Sequence, residues 1–195
     1  MRNRLGLLAT IVGLLVASTA QAGHHLWDLT EAFSNADGTV QFVELFTAED
    51  NEQGVGPFTM TSNGKTMNFV TNLPTAATAN TWILAATSSF ASEPGAVTPD
   101  YLIPDQFVST SGGTIVYAGG ADTWAHGAVP TDGLHSLLRS GSTGINSPTN
   151  FAGQTGSVNL AAGVPMVPTW GLIFVVGAVL FVASGLLRRR EAPLA

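Results

Sequence analysis

An uncharged apolar run at 170–187, followed at once by Arg188, Arg189 and Arg190, constrains this chain more than any other feature. Trp170 opens the run and Leu187 closes it. As a helix rising about 1.5 Å per residue it would be roughly 27 Å long, enough to cross the hydrocarbon core of a bilayer. Clustered arginines mark the cytoplasmic flank of a span, so the residues before it are expected outside. The other end agrees. Arg2 and Arg4 precede an apolar stretch at 5–17, and Ala20-Gln21-Ala22 supplies the small-x-small pattern of a secretory signal cut after Ala22.

The expected organisation is therefore a signal peptide at 1–22, an exported domain at 23–156, a linker with a sorting motif at 157–169, a transmembrane helix at 170–187 and a basic cytoplasmic tail at 188–195. The exported part is long enough for one domain with its own core. It holds no cysteine, so packing or a bound ion must do what disulfides often do outside the cell. Of the 13 acidic residues only Glu191 lies beyond the span, whereas the exported domain has two bases, Lys65 and Arg139. That balance excludes nucleic acid as a partner, because phosphate binding needs basic patches.

No helical apolar period stands out between Leu26 and Ile115. Short apolar and β-branched runs alternate with turn chemistry instead. Strands are expected at 26–33 and 39–46 around the turn at 34–38, whose Asp37-Gly38 supplies positive φ. A second hairpin, 57–61 with 66–70, turns on Asn63-Gly64. Apolar strands follow at 82–87 and 114–118. The region 123–160, rich in Gly, Ser, Thr and Asn, reads as ordered loop with one further strand and a short helical turn at 133–139. The fold class is mainly β, a sandwich or barrel.

Two resemblances add to this. Val167-Pro168-Thr169, Trp170-Gly171, the apolar run and Arg188 to Arg190 follow one another as in C-terminal sorting signals of the PEP-CTERM and IPTL-CTERM type, although here Pro-Thr directly adjoins Trp-Gly. That resemblance implies a sorting peptidase as a partner. The exported part resembles the lamin-tail domain. The carrying residues are Leu29-Thr30-Glu31-Ala32-Phe33, Val40-Gln41-Phe42-Val43-Glu44-Leu45-Phe46 and Trp82-Ile83-Leu84-Ala85, with a closing segment at 130–137 followed by Asn146-Ser147-Pro148-Thr149. Thr30 stands where that family has Asn, and its Leu-x-Gly-Trp element is missing. The resemblance implies an immunoglobulin-like β-sandwich serving as a binding or structural accessory domain.

Several residues carry candidate chemistry. Glu31 and Glu44 lie on the two strands of the first hairpin. Paired carboxylates perform acid–base work when their environments split their pKa values, and they equally serve to accept backbone N–H groups or to pair with Arg139. Glu49, Asp50, Asn51 and Glu52 put four oxygen-bearing side chains in one loop, as calcium requires, though without EF-hand spacing. His24 and His25 would stand beside the new N-terminus, and His126 and His135 lie nine apart; neither pair has a metal-ligand spacing. Trp27, Trp82 and Trp124, exposed together, could stack on sugar rings. Trp82 sits in an apolar run and reads as core; Trp124, in a turn-rich segment, reads as exposed. Nucleophile and phosphate-loop signatures are absent from the sequence.

The combined expectation is an exported, non-enzymatic protein of a Gram-negative-type envelope with no catalytic residues. A C-terminal helix holds it in the inner membrane with the domain facing outward, before release to the surface if the tail is cut. Its role is structural or adhesive, toward a matrix polysaccharide or an envelope protein. The rivals are a secreted hydrolase using Glu31 and Glu44, and a calcium-dependent binding module.

Overall fold

A computed structural model of the chain describes residues 23–160. The signal segment with Ala20 and Ala22, and the sorting motif Val167, Pro168, Thr169, Trp170, Gly171 with Arg188, Arg189 and Arg190, lie outside the described residues. The described residues contain no helix long and apolar enough to cross a membrane, and the run at 170–187 is not among them.

The described chain is mainly β and builds two sheets, as in a β-sandwich. Strands β1 (Asp28–Ser34) and β2 (Gln41–Thr47) form the first expected hairpin. Strands β3 (Thr59–Ser62) and β4 (Lys65–Asn68) form the second. Its tip, Asn63-Gly64, has φ of 49° and 70°, the left-handed pair that a tight two-residue hairpin needs and that Asn-Gly adopts cheaply. Strand β5 (Thr81–Ala86) pairs with β2, and a short 3-10 turn at Phe90–Ser92 leads toward β6 (Tyr101–Leu102), which returns parallel to β5. Strands β7 (Gly113–Tyr117) and β8 (Asp122–His126) form a third hairpin.

The region 123–160 holds more strand than its polar composition suggests. The expected helical turn at 133–139 is instead strand β9 (His135–Leu138), paired with β1 and with β10 (Thr143–Ile145). Ser136 and Leu137 are buried between neighbours, and ladder hydrogen bonds to β1 outweigh a local preference that was weak to begin with. The larger sheet therefore runs β10-β9-β1-β2-β5-β6 and the smaller β4-β3-β7-β8.

Both faces of the larger sheet are covered. Leu29, Ala32, Val43, Leu45, Ile83 and Ala85 point into the space between the sheets, where Met60, Met67, Ile115, Tyr117 and Trp124 meet them from the smaller sheet. The opposite face carries a second core of Phe33, Val40, Phe42, Leu84, Ala86, Phe90 and Val158. Leu29 and Ala32 share a face despite an odd spacing because the register slips between Leu29 and Glu31. The extra residue, Thr30, is a β-bulge that inverts the alternation. The consequence is chemical: Glu31 comes directly opposite Glu44, and both side chains rise on the second face beside Phe33 and Phe42.

Gln41 ties the start of β2 to the loop that follows β6. Its amide donates to Ser34 Oγ and Val108 O, both at 2.8 Å, and its Oε1 accepts Val108 N at 3.0 Å. The residue is fully buried. Replacing Gln41 with Ala should cost about 2 kcal/mol, since Val108 would lose both partners out of reach of solvent. Urea unfolding checks this, and a loss within about 0.5 kcal/mol, the range of an ordinary surface substitution, would contradict it.

Candidate carboxylate site

The bulge at Thr30 and the pairing of β1 with β2 place two acidic side chains side by side in a nearly dry environment. Glu31 is 2% and Glu44 5% exposed. Among the described residues neither meets a cation. Arg139, the base that the sequence offered them, instead forms a two-pronged pair with Asp122 at 2.8 and 3.1 Å and stacks its guanidinium over Trp124.

A strap of chain at 146–151 supplies the missing partners. Ser147 donates its N–H to Glu31 Oε1 at 2.9 Å and its hydroxyl to Oε2 at 3.0 Å. Thr149 donates its N–H to Glu44 Oε2 at 2.8 Å, and the bulge residue Thr30 donates its hydroxyl to Glu44 Oε1 at 3.0 Å. Two residues further on, the Phe151 N–H reaches Asp100 Oδ2 at 2.9 Å, an oxygen that also accepts Leu84 N at 2.8 Å. Glu31, Glu44 and Leu84 are register partners across β1, β2 and β5. The strap thus crosses three strands and gives alternate N–H groups to a transverse row of carboxylates. Pro148 sits between two of these donors, where no N–H is needed. Asn146 anchors the strap: its side chain bonds Leu134 O and Val158 O and accepts Val158 N, all within 2.8 Å.

Burial, and then the charge of neighbouring Glu31, push the Glu44 carboxyl from its ordinary 4.5 up to about 7, against the hydrogen bonds from Thr149 and Thr30 that favour the charged form. The geometry accommodates a proton on Oε1. Thr30 Oγ1 lies 3.0 Å from that oxygen and 3.2 Å from the Glu44 carbonyl, so the hydroxyl can accept from a neutral Glu44 while donating to the carbonyl. Burial likewise raises the Asp100 carboxyl.

No protein-family model, curated protein or solved structure matches the chain. The assignment of a role rests on the residues themselves.

The other sequence candidates are dispersed. In the acidic loop, Glu49, Asp50 and Asn51 are exposed, and Asp50 Oδ1 caps Ala79 N at 3.0 Å. Asn51 takes a left-handed conformation, after which Glu52 turns inward, 4% exposed, to accept Leu26 N. Among the described residues no three His, Asp or Glu side chains gather as a metal would require. His126 lies on the smaller sheet with Nδ1 against Gly127 O, and His135 lies on the larger sheet against Asp132 at 2.6 Å. His24 stacks on Phe58 with ring centroids 3.5 Å apart, while the His25 side chain faces solvent.

The tryptophans reverse expectation. Trp124 is 4% exposed, because alternation along β8 turns it into the core and Arg139 covers its ring. Trp82 is half-buried and leans on Phe46 across the β2–β5 pair, centroids 5.1 Å apart, on the carboxylate face just beyond the strap. Trp27 is fully buried. Sequence reasoning found Glu31 and Glu44 but not Thr30, Thr149, Asp100 or Phe151 as their company. The available signal was the 147, 149, 151 alternation around Pro148, which has meaning only once an acceptor row is known.

Proposed function

We propose that this chain is an exported, non-enzymatic protein whose lamin-tail-like, immunoglobulin-like β-sandwich has a structural or adhesive role. In this reading the tail first anchors it in the inner membrane and a sorting peptidase then passes it to the surface. The observation that carries the non-enzymatic role is the occupancy of Glu31 and Glu44. All four of their oxygens accept hydrogen bonds from the strap or from Thr30, so the pair is committed as a latch holding the second core closed. The half-exposed Phe46 and Trp82 beside it offer an amphipathic aromatic surface of the kind that packs on sugar rings of a matrix polysaccharide.

The raised Glu44 carboxyl also suits the general acid of a hydrolase. A double E31Q/E44Q variant distinguishes the two. Each Gln keeps an acceptor for the Ser147 or Thr149 N–H, so the fold is expected to persist with matrix retention unchanged. A folded double variant that loses a glycan-cleaving activity of the wild type by about 100-fold or more would sink the structural reading. Intact mass from cell fractions tests the export itself. A mass of 23–195 in membranes, or one ending near Val167 at the surface, supports it; an uncut chain in the cytosol overturns it.

A further inference from the structure

The first described residues make a socket that no part of the proposed role uses. Glu52 is 4% exposed, yet among the described residues it forms no ion pair. The nearby imidazole of His24 feels its charge but is held toward the neutral form by burial and by His25, and the Tyr117 hydroxyl also lies within its field. Its Oε2 accepts the Leu26 N–H at 3.1 Å. Its Oε1 accepts no hydrogen bond from the described residues and is turned onto Gly23. A Cβ at position 23 would overlap that carboxylate, so any residue other than Gly would push the Glu52 side chain aside. Gly23 is sewn down on both sides: its N–H donates to Asn51 O at 2.6 Å, and its carbonyl accepts Gly54 N at 2.9 Å. The rest of the segment is equally fixed. Trp27 Nε1 donates to Glu52 O at 2.8 Å, and Tyr117 donates its hydroxyl to His24 O at 2.7 Å. A buried carboxylate is costly without a cation, and the exported domain has two bases, Lys65 on β4 and Arg139 on Asp122.

Export would create the absent cation at this spot. We propose that Gly23 is the mature N-terminus and that Glu52 with the Asn51 carbonyl forms an ammonium-binding site for it. A signal peptidase adds water across the Ala22–Gly23 amide: the C–N bond breaks, the hydroxyl goes to the Ala22 carbonyl, and the nitrogen leaves as the protonated α-amine. As an amide that nitrogen has one hydrogen, committed to Asn51 O. As an ammonium it has three, one for Asn51 O and the others for the Glu52 carboxylate. Processing thereby completes the socket and locks the segment carrying Trp27 onto the domain, so the cut chain is more stable than the uncut one. This inference rests on the exported reading above, but it makes a separate claim about one amine.

The test uses the exported full chain to Ala195 in detergent. Its α-amine is titrated by the pH dependence of acetylation with an N-hydroxysuccinimide ester, read at the N-terminal peptide by mass spectrometry. We expect a chain beginning at Gly23 whose amine titrates at least about one unit above the usual 7.7–8.0 of an α-amino group, with acetylation at pH 8 slower than in E52Q by about fivefold or more. A second form that retains Ala22 moves the amine one residue away and should return it to the usual range. An amine of the Gly23 chain titrating at the usual value overturns the socket, whether or not E52Q folds, and so does a mature chain beginning elsewhere. A chain that never leaves the cytosol counts against the exported role instead, and a Gly23 chain with an ordinary amine leaves that role standing.

Discussion

Replacing Trp27 with alanine is expected to cost about 4 kcal/mol, the largest loss from any single change in this domain. Trp27 is the largest of the fully buried side chains. It fills the space between the sheets alongside Leu29, Leu45 and Phe69, and its indole N–H is the partner of the Glu52 carbonyl at 2.8 Å. Alanine removes the packing, leaves a cavity that neighbouring strands cannot close and deprives a buried carbonyl of its donor. Against a total of about 5–15 kcal/mol for a domain of this kind, that is a large fraction. Urea unfolding, followed by the fluorescence of Trp82 and Trp124, measures it. Trp27→Phe should recover much of the packing and none of the hydrogen bond, and so fall between. A Trp27→Ala loss under about 1 kcal/mol, the centre of ordinary point-mutant effects, would mean that this residue does not pin the N-terminal segment.

The second large effect is a stability that declines as the pH rises. The Glu44 carboxyl stands at about 7 in the folded chain against 4.5 ordinarily. Between those values the folded state retains a proton that the unfolded state has released, so stability falls with rising pH. The contribution is complete below about pH 4.5 and is lost as the pH passes about 7. Its size is about 3 kcal/mol across the window, or on the order of 10 °C in Tm for a domain of this length. This sign is opposite to that of carboxylates held by favourable hydrogen bonds. Asp132 illustrates the contrast: the N–H groups of His135 and Leu134 bring it down to about 2. The difference between wild type and Glu44→Gln isolates Glu44 from such groups. The variant should match wild type near pH 5 and exceed it above pH 8, with a flatter profile. If both proteins lose stability in parallel from pH 5 to 8, Glu44 is not the group responsible. In the proposed exterior setting, mild acid would tighten the strap and alkaline conditions would loosen it.

Much of the sandwich could be read along the chain, and the reason is local. Asn63-Gly64 specifies a tight turn because few other pairs adopt positive φ at both positions. The runs around Phe42 and Ile83 specify strands through consecutive β-branched, aromatic and other apolar residues. Such signals lie within a few residues of one another and need no partner to be recognised. The same holds for the pairing of Glu31 with Glu44 on one hairpin, though not for its consequence.

Trp124 and Trp82 show where that reasoning ends. One sits among turn residues and is buried; the other sits in an apolar run and is half exposed. Which face of a strand is covered depends on which sheet it joins, and β8 faces the core between sheets whereas Trp82 rises on the second face, beyond the reach of the strap. Strand β9 was hidden for the same reason, since its stability comes from β1, far away in sequence.

The sequence by itself determined the strand-and-turn rhythm, the acidic and cysteine-free character of residues 23–160 and the presence of paired carboxylates, because each is a property of residue type and short spacing. Only the tertiary structure decided what those carboxylates do. A one-residue bulge at Thr30 turned Glu31 to the side of Glu44, and a strap more than 100 positions along the chain brought Ser147 and Thr149 to them. Neither event leaves a local mark, because a hydrogen bond between distant segments exists only after both have been placed by the packing of everything between them.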